Sequence, residues 1–272
     1  MDSDTHLLQA SVDVALVIPT FNERESIVPL VAEIDRALAG LSWHALFVDD
    51  STDGTDEVIA RISTREARVS VLHRVANRGG LAGAVADGLR NLSVGTYACV
   101  LDADLQHPPA LIPSMLAEAR RADADIVVAS RYRPGGSTGG LDGPLRQFYS
   151  RGLKLLARTV FPRRLAAISD PLGGYFLVRR AVIHGVDLRP IGYKILLEVL
   201  VRGQWQTVVE LPYRFEARRF GASKATLAQG LRFLEHLRTL AWDCSPVFAL
   251  PRLVFRSPVH PAEATAAGSS RS

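Results

Sequence analysis

The sequence predicts an α/β protein built on a mostly parallel β-sheet with helices on both faces. Three observations carry that prediction. Short apolar runs recur along the first half, and each is followed by a segment with helical spacing. The runs are apolar almost throughout, as in strands covered on both faces, rather than alternating as in half-exposed ones. Polar clusters sit where successive runs end, at Thr20–Glu23, Asp49–Asp53 and Asp102–Gln106. A parallel sheet brings such ends to one edge, where α/β proteins bind ligands. With 272 residues, 47% of them hydrophobic, the chain is long enough for one large domain with a real core.

The elements follow in order. Val12–Pro19 reads as a buried strand stopped by proline. Glu23–Gly40 places Ile27, Leu30, Val31, Ile34 and Leu38 at helical spacing and ends on glycine. Trp43–Val48 is the second strand, Asp56–Arg65 a helix and Val69–His73 the third strand. Gly79–Asn91 is a helix of small residues, Tyr97–Leu101 the fourth strand, and Pro108-Pro109 opens a helix to about Arg121. Ile126–Ala129 is the fifth strand. Gly135–Gly140 is a glycine-rich loop. The basic, amphipathic stretch Gly143–Phe161 reads as a helix, Tyr175–Val178 as a strand, Pro190–Arg202 as a helix and Thr207–Leu211 as a strand. Phe215–Ser223 is an arginine-rich loop before a second basic helix, Lys224–Leu240. The predicted division is an N-terminal tail (1–11), one domain (12–242), a segment suited to a membrane or partner contact (243–256) and a disordered tail (257–272).

Charge is unevenly spread. Residues 1–60 hold twelve acids against two bases, whereas residues 131–180 hold ten bases against two acids. An acidic first half and a basic second half suit a site holding a cation and an anion together. Asp102 and Asp104, two residues apart at a strand end, can approach one divalent cation, with Gln106 as a further oxygen donor. Mg²⁺ or Mn²⁺ favours such ligands and shares them with phosphates. His107 reads as a loop residue and not a ligand. Arg131, Arg146, Arg218 and Lys224 lie in or beside loops and suit phosphate oxygens. The two cysteines, Cys99 and Cys244, have no metal-thiolate spacing and suit a reducing compartment. No nucleophilic triad is legible, and His184 and His236 read as structural or solvated. Nucleic acid is an unsuitable partner, because the bases are not interleaved with aromatic residues and the carboxylates would repel a phosphate backbone.

Several segments together resemble one family. Val17-Ile18-Pro19-Thr20-Phe21-Asn22-Glu23 and Val48-Asp49-Asp50-Ser51-Thr52-Asp53-Gly54-Thr55 are similar to the opening and nucleotide-binding segments of inverting family 2 glycosyltransferases of GT-A (Rossmann-like) fold. Leu101-Asp102-Ala103-Asp104-Leu105-Gln106-His107-Pro108-Pro109, Ser130-Arg131-Tyr132, Ser169-Asp170-Pro171, Gly192–Glu198 and Gly221–Lys224 resemble the polyprenyl-phosphate (dolichol-phosphate) mannose synthase branch, in the same order.

The resemblance implies a donor site of Pro19, Phe21, Glu23, Val48 and Asp50 around the nucleotide. Asp102, Ala103, Asp104 and Gln106 would meet the diphosphate, with Asp102, Asp104 and Gln106 on Mg²⁺ or Mn²⁺. Arg131, Lys194, Arg218 and Lys224 would bind donor phosphate or sugar, Asp104, Arg218 and Lys224 would carry catalysis, and Arg146 and Ser150 would bind the acceptor phosphate. Phe21 stands where the family commonly has tyrosine, Gly173 where serine is common, and Ala222 and Ala225 alter a usual G-E-S-K-L run.

The implied activity is transfer of a hexose, with mannose from GDP-mannose leading, to a polyprenyl monophosphate with inversion. An acceptor phosphate is largely anionic at neutral pH, with a second pKa of about 6, and requires no protein base. UDP-glucose as donor, a sugar hydroxyl as acceptor and a non-catalytic nucleotide- or lipid-binding protein are the alternatives. A hydroxyl acceptor would need a base, for which Asp170 is the obvious candidate. The apolar runs fall short of the roughly 18 residues that span a bilayer. The expectation is a cytoplasmic protein, peripheral on the cytoplasmic face of the membrane. It would dock through Gly143–Phe161 and Leu231–Arg256 or be brought there by a separate anchoring partner.

Overall fold

The computed structural model describes residues 12–76, 79–139, 144–217 and 227–244. A seven-stranded sheet forms the centre: β1 (Val14–Thr20), β2 (Trp43–Asp49), β3 (Val69–His73), β4 (Tyr97–Val100), β5 (Ile126–Ser130), β6 (Phe176–Arg179) and β7 (Val208–Pro212), in the order β3-β2-β1-β4-β6-β5-β7. All neighbours pair in parallel except at β6, which runs antiparallel to both β4 and β5. Every residue of β1 is buried, as its unbroken apolar sequence requires of a central strand.

Two apolar layers cover the sheet. One face carries α1 (Arg24–Ala37), α2 (Thr55–Ser63) and α4 (Ile112–Arg121), anchored by Ile27, Leu30, Ile34, Ile59 and Met115. The other carries α3 (Gly80–Asn91), α5 (Pro144–Val160), α6 (Pro162–Leu165), α7 (Arg180–Ile183), α8 (Ile195–Arg202) and α9 (Leu227–Asp243). The GT-A-like, mostly parallel architecture with helices on both faces is therefore the one the sequence predicts.

Differences are local. The helix expected from Pro190 begins only at Ile195. Gly192 has φ +89°, and its carbonyl accepts the Ala82 N–H of α3 at 3.0 Å, so residues 190–194 form a loop clamped on α3. The last helix is described from Leu227 and runs to Asp243, past the expected end at Leu240, and its expected start at Lys224 lies outside the described residues. The single-turn helices α6 and α7 lack the length that periodicity needs to show. Residues 1–11 and all but the first two residues of 243–256 lie outside the described residues, as does the tail 257–272.

The chain fills one side of β1 with β2 and β3, then returns through α3 to lay β4 on the other side. Register aligns Thr20 with Asp49, Asp49 with His73, and Val17 with Val100. The three polar clusters thus meet at one edge, across the point where strand order reverses.

Candidate active site

At the β1–β2 end, local hydrogen bonds hold the turns open. Asp49 Oδ1 accepts from Thr20 Oγ1 at 2.7 Å and Ser51 Oγ at 2.6 Å, while Oδ2 lies 2.9 Å from His73 Nδ1. Asn22 sits in left-handed backbone (φ 55°), accepting the Thr52 N–H on Oδ1 at 3.0 Å. Asp50 is gripped by Arg74 through both carboxylate oxygens, with the Arg74 Nε contact at 2.7 Å. Arg74 also reaches Asp87 at 2.9 Å and the Gly80 carbonyl at 3.2 Å, tying the β2 end to α3. Of the residues expected around a nucleotide, Pro19 and Val48 are paired and buried in neighbouring strands. Asp50 lies beneath Arg74. Phe21 is 43% exposed at the edge, and Glu23 is half-buried beside it.

The loop after β4 carries the carboxylate pair. Asp104 Oδ1 accepts the Gln106 N–H at 3.1 Å, closing a tight turn that forces Leu105 to φ 63°. That left-handed conformation is costly for leucine. Burial of the Leu105 side chain in the core offsets it. Gln106 bridges to the β7 side: its Nε2 donates to the Glu216 carbonyl at 2.8 Å, and its own carbonyl accepts the Glu216 N–H. Only its Oε1 is then suited to a cation. Ala103 is buried between the two carboxylates.

His107 is more than a loop residue. It is buried and stacks on Tyr175 with centroids 5.0 Å apart, with Tyr213 and Phe215 against its other sides. Its Nδ1 accepts the Asp102 N–H at 3.0 Å. Burial lowers its pKa to about 4, so the ring is neutral at pH 7 and free to accept that bond. Gly174 approaches from the β6 side so closely that an added Cβ would lie 3.2 Å from His107 and 3.5 Å from Asp102 Oδ2. A side chain there would press on the His107 ring and reach contact distance of the carboxylate.

Gly174 ends the loop in which Asp170 faces the cations. Arg131 binds Asp170 with both prongs, Nε to Oδ2 at 2.7 Å and NH2 to Oδ1 at 2.9 Å. Burial pushes the Asp170 pKa up, but the adjacent Arg131 outweighs it and the carboxyl ends below its ordinary value. A carboxylate held so firmly is a poor proton acceptor. The loop itself is pinned by Glu210 on β7, whose Oε1 accepts the Ser169 N–H and hydroxyl at 2.8 Å. Lys194 Nζ donates to the Leu172 carbonyl at 3.0 Å from the α8 side. Lys154 of α5 lies 3.6 Å from the Tyr132 ring centroid. Arg146 and Ser150 fall on the first two turns of α5, with side chains outside the described residues. Arg218 and Lys224 lie outside the described residues altogether.

The structure therefore brings Asp102, Asp104, Gln106, Arg131 and Lys194 to one edge, together with Asp170, named above only as a candidate base, and with Arg74, His107 and Lys154, which the expected site did not include. Long-range pairs such as Arg74–Asp50 leave no trace in sequence spacing. The aromatic surroundings of His107 come from β6, β7 and the loop after β7. Asp49, Asp56 and His73 form a second group whose ligand atoms lie within 4.8 Å of one another. Asp49 already serves Thr20, Ser51 and His73 there, so this group works as a turn anchor. His236, as expected, is structural: buried, with Nε2 2.7 Å from Glu198 Oε2 across the α8–α9 contact.

The model of the glycosyl transferase family 2 domain matches residues 15–186. Dolichol-phosphate mannosyltransferase from Pyrococcus furiosus is 39% identical over 233 residues, covering 85% of this chain and 64% of that protein. The enzymes of that name from Mycosarcoma maydis and Saccharomyces cerevisiae are 33% and 30% identical, covering 77% and 87% of their own lengths. This chain thus spans under two thirds of the archaeal relative and most of the fungal ones. Glucosyl-3-phosphoglycerate synthase from Mycobacterium tuberculosis, solved with Mn²⁺, UDP and glucosyl-3-phosphoglycerate, superposes with a TM-score of 0.63 at 18% identity over 88% of this chain and 82% of that one. That likeness extends to the fold. With the family model covering more than half of the chain and the fungal relatives covered over most of their length, the chain belongs to glycosyl transferase family 2.

Proposed function

We propose that this protein transfers a hexose, with mannose from GDP-mannose as the leading donor, to a polyprenyl monophosphate with inversion at the anomeric carbon. One observation carries the reading. A carboxylate pair and a cluster of cations face each other across the 169–174 loop, so that Gly174 touches the carboxylate side while Asp170 holds Arg131 on the other. The names of the curated relatives point to the same acceptor and sugar.

The residues fit a divalent cation. Asp102 and Asp104 are hard oxygen donors on one turn, and the bare Gly174 leaves room beside Asp102. Asp102, Asp104 and the Gln106 Oε1 would hold Mg²⁺ or Mn²⁺. When bound, the ion supplies charge stabilisation to the leaving diphosphate. Phe21 and Glu23 stand where the nucleoside would lie. Arg131 and Lys194 present positive charge to the diphosphate from a rigid frame that needs no rearrangement. Arg218 and Lys224 would add to it, and Arg146 and Ser150 would receive the acceptor phosphate. The acceptor oxygen is itself anionic, and no side chain has to take its proton. The firm pairing of Asp170 with Arg131 favours that acceptor over a hydroxyl.

No helix among the described residues is long and apolar enough to cross a membrane. Exposed apolar residues instead project from α5 (Leu155 at 67%, with Leu156 and Val160) and α9 (Leu231 at 71%, Trp242 at 83%, with Leu234). They are interspersed with Arg151, Arg158, Arg232 and Arg238, a pattern that suits an anionic interface. We place the enzyme peripherally on the cytoplasmic face. Liposome co-sedimentation checks this: binding to anionic vesicles that weakens at high salt is expected, and no binding at low salt would leave a partner protein to bring the enzyme to its lipid.

Mass spectrometry of products from a mixed GDP- and UDP-sugar panel with polyprenyl phosphate tests the whole reading. A hexosyl phospholipid formed from GDP-mannose is expected. Transfer only from a UDP-sugar, or only to a hydroxyl, would overturn it.

A further inference from the structure

We infer that Lys154 is a second cationic ligand for the acceptor's phosphomonoester, on the α5 side of the Asp170 loop. This rests on the proposed lipid-phosphate acceptor. Arg146, Ser150 and Lys154 follow one another at four-residue spacing, which puts them on one helix face. The two residues that resemblance assigns to the acceptor phosphate thus continue directly into Lys154.

The surroundings of Lys154 carry an excess of positive charge. Its Nζ rests 3.6 Å from the Tyr132 ring centroid, and Arg131 lies over the same residue at 5.7 Å. Asp170 is the acid nearby, but both of its oxygens are taken by Arg131. Arg158, one turn further along α5, donates to the Ile168 carbonyl. Among the described residues, Lys154 has no carboxylate within ion-pair distance. Burial lowers its pKa, and Arg158, Arg131 and Arg151 lower it further against the opposing pull of Asp170. Half-burying an ammonium among cations is costly unless an anion arrives.

A dianionic phosphate monoester supplies the missing charge. Lys154 from α5 and Lys194 from the start of α8 both approach the Asp170 loop. The face of the Tyr132 ring holds the ammonium in place. A lysine suits this place because a phosphomonoester presents three equivalent oxygens to a point charge.

The chain contains three lysines, Lys154, Lys194 and Lys224, so side-chain NMR of lysine-labelled protein resolves each one. The full chain, saturated with GDP and Mg²⁺, is titrated with farnesyl phosphate in one arm and with anionic vesicles lacking it in another. The Lys154 signal should move saturably with farnesyl phosphate and not with vesicles. In turnover, Lys154→Gln should raise KM for the lipid phosphate about tenfold or more while leaving KM for the sugar nucleotide unchanged. Lys154→Arg should restore most of the difference, and melting temperatures report any loss of fold. An unmoved Lys154 signal, a signal that answers equally to vesicles, or an unchanged lipid KM would each overturn the assignment. If farnesyl phosphate moves Lys154 but no sugar is transferred to any lipid phosphate, the proposed reaction fails while the phosphate site stands.

Discussion

The two edges of the sheet both carry ion pairs, yet they handle charge in opposite ways. At the edge where β1 and β4 begin, Asp13 pairs with Arg120 and Arg179 with Asp123. Side-chain exposures there are 30% and 51% in the first pair, and 26% and 90% in the second. At the opposite edge Arg74–Asp50 is exposed by only 7% and 4%, and Arg131–Asp170 by 9% and 1%. Exposed pairs contribute little and can be lost. Buried ones give no net advantage over apolar packing, yet breaking one leaves a stranded charge. The difference teaches that the buried pairs fix the position of charge, and that stability is the wrong measure of what they do.

The largest effect should come from removing one member of a buried pair. Asp170→Asn leaves Arg131 buried without its carboxylate and should cost about 3–5 kcal/mol of stability, read by denaturant unfolding. Replacing both partners, Arg131→Met with Asp170→Leu, should recover much of that stability and none of the turnover. Recovery of turnover as well would mean that the pair is structural and the comparison between edges fails.

Asp104→Asn sharpens the comparison from within the site. Loss of one carboxylate should lower turnover by a hundredfold or more, equivalent to several kcal/mol of transition-state stabilisation. The melting temperature should stay within a few degrees. Parallel melting and turnover measurements decide this, and a variant as active as the parent would refute the metal assignment.

His107→Phe keeps an aromatic ring in the stack but removes the acceptor of the Asp102 N–H. Stability should fall by about 1–3 kcal/mol. Mn²⁺ affinity, measured by electron paramagnetic resonance, should weaken with it, because Asp102 loses the bond that orients its turn.

The smallest effect belongs to the exposed edge. Hydrogen bonding from the Ser42 N–H, and then from Arg120, lowers the Asp13 pKa from 3.8 to about 2. The folded value lies below the unfolded one, so this contribution is complete above about pH 4 and fades as pH falls through 2. Asp13→Asn should therefore cost at most about 1 kcal/mol at pH 7 and almost nothing at about pH 1, below the folded pKa, as followed by urea unfolding at both pH values.

How much of this was legible in the sequence follows from what each feature depends on. Strands such as β1 and β2 announce themselves because burial on both faces demands unbroken apolar runs. The carboxylates of Asp102 and Asp104 were legible because they trail such a run. The reversed direction of β6 was not, since a short buried strand reads the same both ways. Nor was the delayed start of α8, where the clamp of Gly192 on α3 overrides a local pattern that looks helical from Pro190. Arg74 and Lys154 escaped because their partners, Asp50, Asp87 and Tyr132, are brought to them by topology.

The reversed strand β6 also bears on how such an enzyme can change. Because β5 ends and β6 begins at the same edge, the connection from Arg131 to Tyr175 never has to cross the sheet. A crossover between parallel strands must span the sheet's full depth and return, which sets a minimum length and a handedness. This connection is free of both constraints. The sheet does not dictate its length, although Leu153, Ala157, Phe161 and Leu165 tie its helices to the core. On the proposed reading this segment carries the acceptor contacts, so a new acceptor could be accommodated there without moving the strands that frame the donor.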